Sequence, residues 1–192
     1  MFGVGLNREM QWWESEGGIG FLKRVGLREG WSIAEFGCRV GHYVIPAAKL
    51  VGESGKVLAI DKDKAALKSV RKRCSQEGLD NVDIIETEGE LEIPAGDGQL
   101  DAVLLYDVLH IIEDMETLVC ESRRVLRDGG LLSVYPTHYE GAHPKHHFKG
   151  VRLEEIIGKI EKCGFNLENH FTDRLSHFDH LKKDEVFNFV RI

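Results

Sequence analysis

Cysteine is scarce and scattered, with four residues (Cys38, Cys74, Cys120, Cys163) among 192 and no C-x-x-C pair. That spacing argues against a zinc site and against a disulfide framework. Cys74, on the apolar stripe of a predicted helix, reads as a small buried hydrophobe. No apolar run approaches the ~18 residues needed to span a bilayer. The stretch Met1 to Glu9 has neither a basic n-region nor a long apolar h-region, so no secretory signal is expected and the cytoplasm is the expected compartment. No block of lysine and arginine is long enough to make a phosphate-tracking stripe, and the net charge is −7. Because phosphate contacts dominate nucleic-acid affinity, nucleic acid is not an expected partner. Internal repeats, low-complexity tracts and an interdomain linker are absent as well.

What is present is ordinary for a globular chain: 42% hydrophobic and 30% charged residues, enough sequence for one core but not for two. Hydrophobic period orders the elements. Ile33–Phe36 predicts a first buried strand, and residues 42–52 a helix stopped by Gly52. Lys56–Asp61 is a second strand. Leu67, Val70 and Cys74 recur at helical spacing until Gly78, and Val82–Ile85 is a third strand. Leu100–Leu105 predicts a fourth strand, buried on both faces. Met115 to Leu126 predicts a helix closed by Gly129-Gly130, followed by a strand at Leu131–Tyr135. Leu153, Ile156, Ile157 and Ile160 mark a helix ending at Gly164. Strand-like stretches near Leu167–Phe171 and Val186–Ile192 have no helix between them and predict an antiparallel hairpin. Strands alternating with helices imply a single-domain α/β fold, doubly wound and Rossmann-like, with a mostly parallel seven-stranded sheet. Residues 1–30 are expected to form a helical cap and 31–192 the core.

An open parallel sheet binds its ligand at the carboxyl ends of its strands, near the point where strand order reverses. The first strand ends Glu35-Phe36-Gly37-Cys38-Arg39-Val40-Gly41 and runs into a helix. Gly37 permits the sharp turn, and Gly41 permits the helix to start close to the sheet and a ligand. The second strand ends at Asp61, where a carboxylate can accept both ribose hydroxyls of an adenosine.

Glu35-x-Gly37-x-x-x-Gly41 resembles the first motif of class I S-adenosylmethionine-dependent methyltransferases. Asp61 matches their ribose-binding acid. Leu100 to His110 resembles their fourth-strand motif, and Val125 to Leu132 the junction of a helix with their fifth strand. The likeness runs from about residue 20 to the C-terminus and is closest to the small-molecule branch related to quinone-biosynthesis methyltransferases. It implies S-adenosylmethionine as cofactor, S-adenosylhomocysteine as product, a small-molecule acceptor, and a monomer or homodimer. Gly37, Gly41 and Asp61 are expected to hold the cofactor, with Glu35 orienting the first loop.

Two positions depart from the family pattern. Its middle glycine is Arg39 here, which either crowds the cofactor, swings aside, or pairs with a carboxylate. Where the family often places an adenine-binding acid stands Gly89, flanked by Glu88 and Glu90; either could reach the adenine, and a solvated acidic loop would look the same. Tyr106 and His110, just after the fourth strand, are the candidate cofactor-cleft residues, with His110 the candidate base for an acceptor that must lose a proton. A histidine packed at a helix entrance is the alternative. No Asn/Asp-Pro-Pro-Tyr segment follows that strand, so the likeness does not extend to methyltransferases that act on base or glutamine amines through that loop.

His138, His143, His146 and His147 form a dense group, but Pro144 makes a regular helix through it, of the kind that presents paired histidines to a metal, unexpected. No metal is expected, and the loop reads as substrate-facing or solvated; His177 and His180 call for the same caution. Trp12 and Trp13 serve either as a lid or as anchors docking an N-terminal helix. Two other readings compete: a non-catalytic binding or scaffold protein, favoured by Arg39, and a nicotinamide-dependent oxidoreductase, disfavoured because the turn lacks G-x-G-x-x-G.

Overall fold

A computed structural model describes residues 6–139 and 151–192. Helix α1 (Arg8–Trp12) passes through a π turn (Trp13–Gly17) into α2 (Gly18–Val25). There follow β1 (Ser32–Phe36), α3 (Val44–Val51), β2 (Lys56–Asp61), α4 (Lys64–Glu77), β3 (Val82–Glu86) and β4 (Leu100–Tyr106). Then come α5 (Met115–Val125), β5 (Leu126–Tyr135), α6 (Leu153–Lys162), β6 (Phe165–His177) and β7 (His180–Arg191). The seven strands lie in the order β3-β2-β1-β4-β5-β7-β6, parallel except for the pairings of β7.

Strand alternation divides the core in two. Ile33, Val57, Ala59, Ala102 and Leu104 face α2, α3 and α4. Their neighbours Ala34, Leu58, Ile60, Val103 and Leu105 face α5 and α6. Burial on both sides explains the unbroken apolar runs of these strands. The strand order reverses between β1 and β4, which places a crevice at the carboxyl ends of those two strands. Among the described residues no helix is long and apolar enough to cross a membrane.

Two elements differ from the sequence-based expectation. Helix α5 stops at Val125 and passes directly into β5 at Leu126, so Gly129-Gly130 lies inside the strand, at the irregular pairing between Leu100 and Ala102 of β4. The hairpin is also much longer than the two apolar stretches suggested. Pairing of β5 with β7 ends at Val134 opposite Phe187, while β6 and β7 stay paired to His177 opposite His180. Residues His180–Val186 therefore project past β5, on the order of 20 Å at about 3.4 Å per residue. The projecting strands are mostly polar because only one face, carrying Leu175 and Val186, finds the core.

Candidate active site

A cavity of about 550 Å³ opens at the crevice between β1 and β4. Its first wall is the chain leaving β1. Gly37 and Cys38 donate backbone N–H bonds to Ile60 O at 2.8 and 3.1 Å, and Gly41 N–H closes a turn onto Cys38 O at 2.8 Å. Gly37 adopts φ +78°, and a Cβ there would come within 2.5 Å of Val108 Cγ2, so both backbone and space require glycine. Gly41, at φ +83°, lies against Val70.

Arg39 also takes a left-handed backbone, φ +45°, the conformation the family's glycine would supply freely. Its N–H donates to Asp61 Oδ2 at 2.6 Å, and its guanidinium lies 4.5 Å from the ring centre of Phe178. The side chain is laid against Phe178 at the hairpin tip, and both residues line the cavity. The other oxygen of Asp61 accepts from Asp63 N–H at 2.9 Å. Glu35 is 3% exposed, and its Oε2 is buried without a partner at the cavity wall. Burial, with the Asp61 charge adding, holds its carboxyl well above the ordinary carboxylate range, against a smaller opposing pull from Arg73.

Beyond β3, Gly89 and Glu90 line the cavity but Glu88 does not. Glu90 Oε2 accepts from Glu88 N–H at 2.8 Å, folding the acid back onto its own turn. Backbone hydrogen bonds of that turn lower its pKa. Tyr106 lines the cavity with its ring, packed against Tyr43 at 4.6 Å. Its hydroxyl is spent on Ser133 Oγ at 2.7 Å, in a chain continued to Asn188, and burial pushes its pKa far up. His110 lies in the 3₁₀ turn Leu109–Ile111 behind the cavity wall, with Nδ1 3.0 Å from Thr137 Oγ1.

Two residues of the site, Asp107 and His42, were not singled out in the sequence, and His177 was named there without a role. Asp107 (φ +53°) lines the cavity, accepts from Thr137 Oγ1 at 2.5 Å, and holds His177 Nδ1 at 2.8 Å. Burial opposes its charge, but these partners outweigh burial and keep its pKa below the ordinary value. His42, buried beside the cavity, is clamped by Glu14 at 2.8 Å and reaches Asp179 at 3.4 Å; Arg73 pairs with the same Glu14. Trp13 is 1% exposed and donates from Nε1 to His42 O at 2.8 Å, whereas Trp12 is exposed, so Trp13 docks the helix. Only the acid at position 107, beside His110, carried a sequence signal that could have drawn notice. His143, His146 and His147 lie outside the described residues.

The family defined as "methyltransferase domain" matches residues 34–134, the span that carries the chain segments leaving β1, β2, β3 and β4 at this cavity. The chain belongs to that family. A methyltransferase of this kind from Sulfurisphaera tokodaii, the probable cobalt-precorrin-6B C(15)-methyltransferase (decarboxylating), is 31% identical over 59% of this chain and 57% of its own length. The demethylmenaquinone methyltransferase of Geobacillus stearothermophilus is 25% identical over 67% of this chain and 52% of its own length. The chain thus spans about half the length of these curated relatives. A crystal structure of an S-adenosylmethionine-dependent methyltransferase from Aquifex aeolicus superposes with a TM-score of 0.73 at 22% identity, covering 95% of this chain and 93% of that one. It shows the same Rossmann-like methyltransferase fold over nearly the whole length of both.

Proposed function

We propose that the protein transfers a methyl group from S-adenosylmethionine to a small-molecule acceptor, releasing S-adenosylhomocysteine. The observation that carries this is Glu35 Oε2, a buried acceptor without a partner, placed in one cavity with the Asp61 carboxylate. An amino acid sulfonium joined to a nucleoside offers an ammonium for the first and ribose hydroxyls for the second. The cavity's volume also suits a ligand of that size.

When bound, the cofactor supplies an activated methyl on sulfur. Asp61 would take the ribose; each of its oxygens already accepts one backbone N–H and keeps a further lone pair. Glu35 would take the cationic amine, and Gly89 with Glu90 would border the adenine. The chain's remaining work is to hold the acceptor in line and exclude water, through proximity and preorganised dipoles. Val108, Ile111, Ile112 and Phe178 form the apolar wall for that purpose. His110 enters only where the acceptor must first lose a proton. We place the reaction in the cytoplasm, in a monomer or homodimer built of a helical cap (1–30) and a core (31–192), without nucleic acid.

Titration calorimetry with S-adenosylmethionine and S-adenosylhomocysteine, against a nicotinamide dinucleotide control, tests the reading. Micromolar binding of either sulfur compound is expected. Burial raises the Glu35 pKa and an ammonium beside it should lower it again, so binding should shift its protonation toward proton release, seen as a dependence of the heat on the buffer's ionisation enthalpy. A folded chain that binds neither compound would overturn the proposal.

A further inference from the structure

Four imidazoles crowd one carboxylate beside the cavity. The rings of His110 and His138 are 4.4 Å apart, His138 and His177 5.8 Å, and His177 and His180 5.6 Å. The ligand-bearing atoms of Asp107, His110 and His138 all lie within 4.8 Å of one another. These residues come from the end of β4, the turn after it, and the loop after β5. His138 Nδ1 is buried with no hydrogen-bond partner, which leaves a lone pair or a proton unsatisfied inside the protein.

We propose that Asp107, His110 and His138 bind a divalent first-row transition metal, zinc being the simplest case, at the edge of the cavity. Two imidazoles and a carboxylate suit zinc and its neighbours, whereas magnesium and calcium prefer all-oxygen sets. An ion centred among three atoms mutually within 4.8 Å lies at most about 2.8 Å from each. Bonds of ~2.0–2.2 Å then require each side chain to move by about 0.7 Å. His177, 2.8 Å from the other oxygen of Asp107, would orient the carboxylate, the arrangement that metal-ligating acids commonly show. Three protein ligands leave a fourth position open. The expectation of no metal weighed the His138–His147 segment by itself; the fold brings Asp107 and His110, from just past β4, against His138. If the chain methylates as proposed above, an acceptor hydroxyl or thiol in that open position would be made a better nucleophile.

The test uses the full chain, stripped of metal with a chelator and titrated with Zn²⁺ against a chromophoric competitor. Co²⁺ absorption provides a second readout of ligand type. One equivalent of metal is expected, with a Co²⁺ spectrum of nitrogen and oxygen ligation. His177→Ala should weaken binding roughly 10–100-fold, as loss of a supporting partner does, and His138→Ala and Asp107→Asn should weaken it more. Circular dichroism checks that each variant is folded. No stoichiometric uptake by the unaltered chain would overturn the site, as would uptake unchanged in His138→Ala, which would put the metal elsewhere, for example on His143, His146 and His147. S-adenosylhomocysteine binding is measured on the same samples. Nucleoside binding without metal sinks this site alone, and metal without nucleoside sinks the methyl-transfer reading alone.

Discussion

On the β1–β2 side of the cavity the main chain does the holding. Gly37 and Cys38 hang from Ile60, Arg39 hangs from Asp61, and Asp61 caps its own following turn. On the β4–hairpin side the holding is done by side chains from distant segments, with Asp107, Thr137 and His177 meeting across some 70 residues. The first arrangement is local and rigid. The second depends on the hairpin reaching far enough, and so can be dismantled one side chain at a time.

The sharpest way to break the first side is Gly37→Ala. A left-handed backbone costs about 1–2 kcal/mol and overpacking against Val108 about 1–3 more, so a loss of about 2–5 kcal/mol in denaturant unfolding is expected. Glu35→Gln should weaken S-adenosylmethionine binding by roughly 1.5–3 kcal/mol, the range for a hydrogen bond to a charged group. The same change should stabilise the free chain, because a carboxyl whose pKa is raised on folding stabilises below its unfolded value and loses that contribution as pH rises through the folded one. Unfolding curves from acid to neutral pH should therefore show the variant's advantage growing with pH. Asp61→Ala should cost about 1–3 kcal/mol in cofactor affinity by calorimetry. Unchanged affinity would remove Asp61 from the ribose role. Phe178→Ala, on the hairpin side, should cost only about 0.5–1 kcal/mol of cofactor affinity through the lost stack with Arg39.

That same contrast governs what the sequence could reveal. The order of the first five strands, the turn at Gly37 and the acid at Asp61 follow from local period and spacing, which a linear reading sees. The hairpin's length does not, because its projecting residues are polar on the face that meets water and give no alternation to count. Asp107 and His177 acquire meaning only once that length is known. Arg39 was legible as a departure, with swinging aside among its options, but its partners were not: its backbone at positive φ bonds to Asp61, and its side chain is laid on a ring 139 positions later. His110, near the right strand end, is not among the residues that line the cavity, though its neighbour Asp107 is.

The hairpin tip is also tied to the start of the chain. Asn7 donates to Asp179 O at 2.6 Å, Glu9 accepts from Arg174 at 2.5 Å and from Leu181 N–H at 2.9 Å, and Arg24 pairs with Asp173 at 2.9 Å. Helices α1 and α2 and the tip, which carries Phe178 of the cavity wall, are thus held by one latch. For anyone purifying the protein, a tag fused ahead of Asn7 pulls on that latch, while one after Ile192, beside Gly164 at the far end of the same hairpin, leaves it shut.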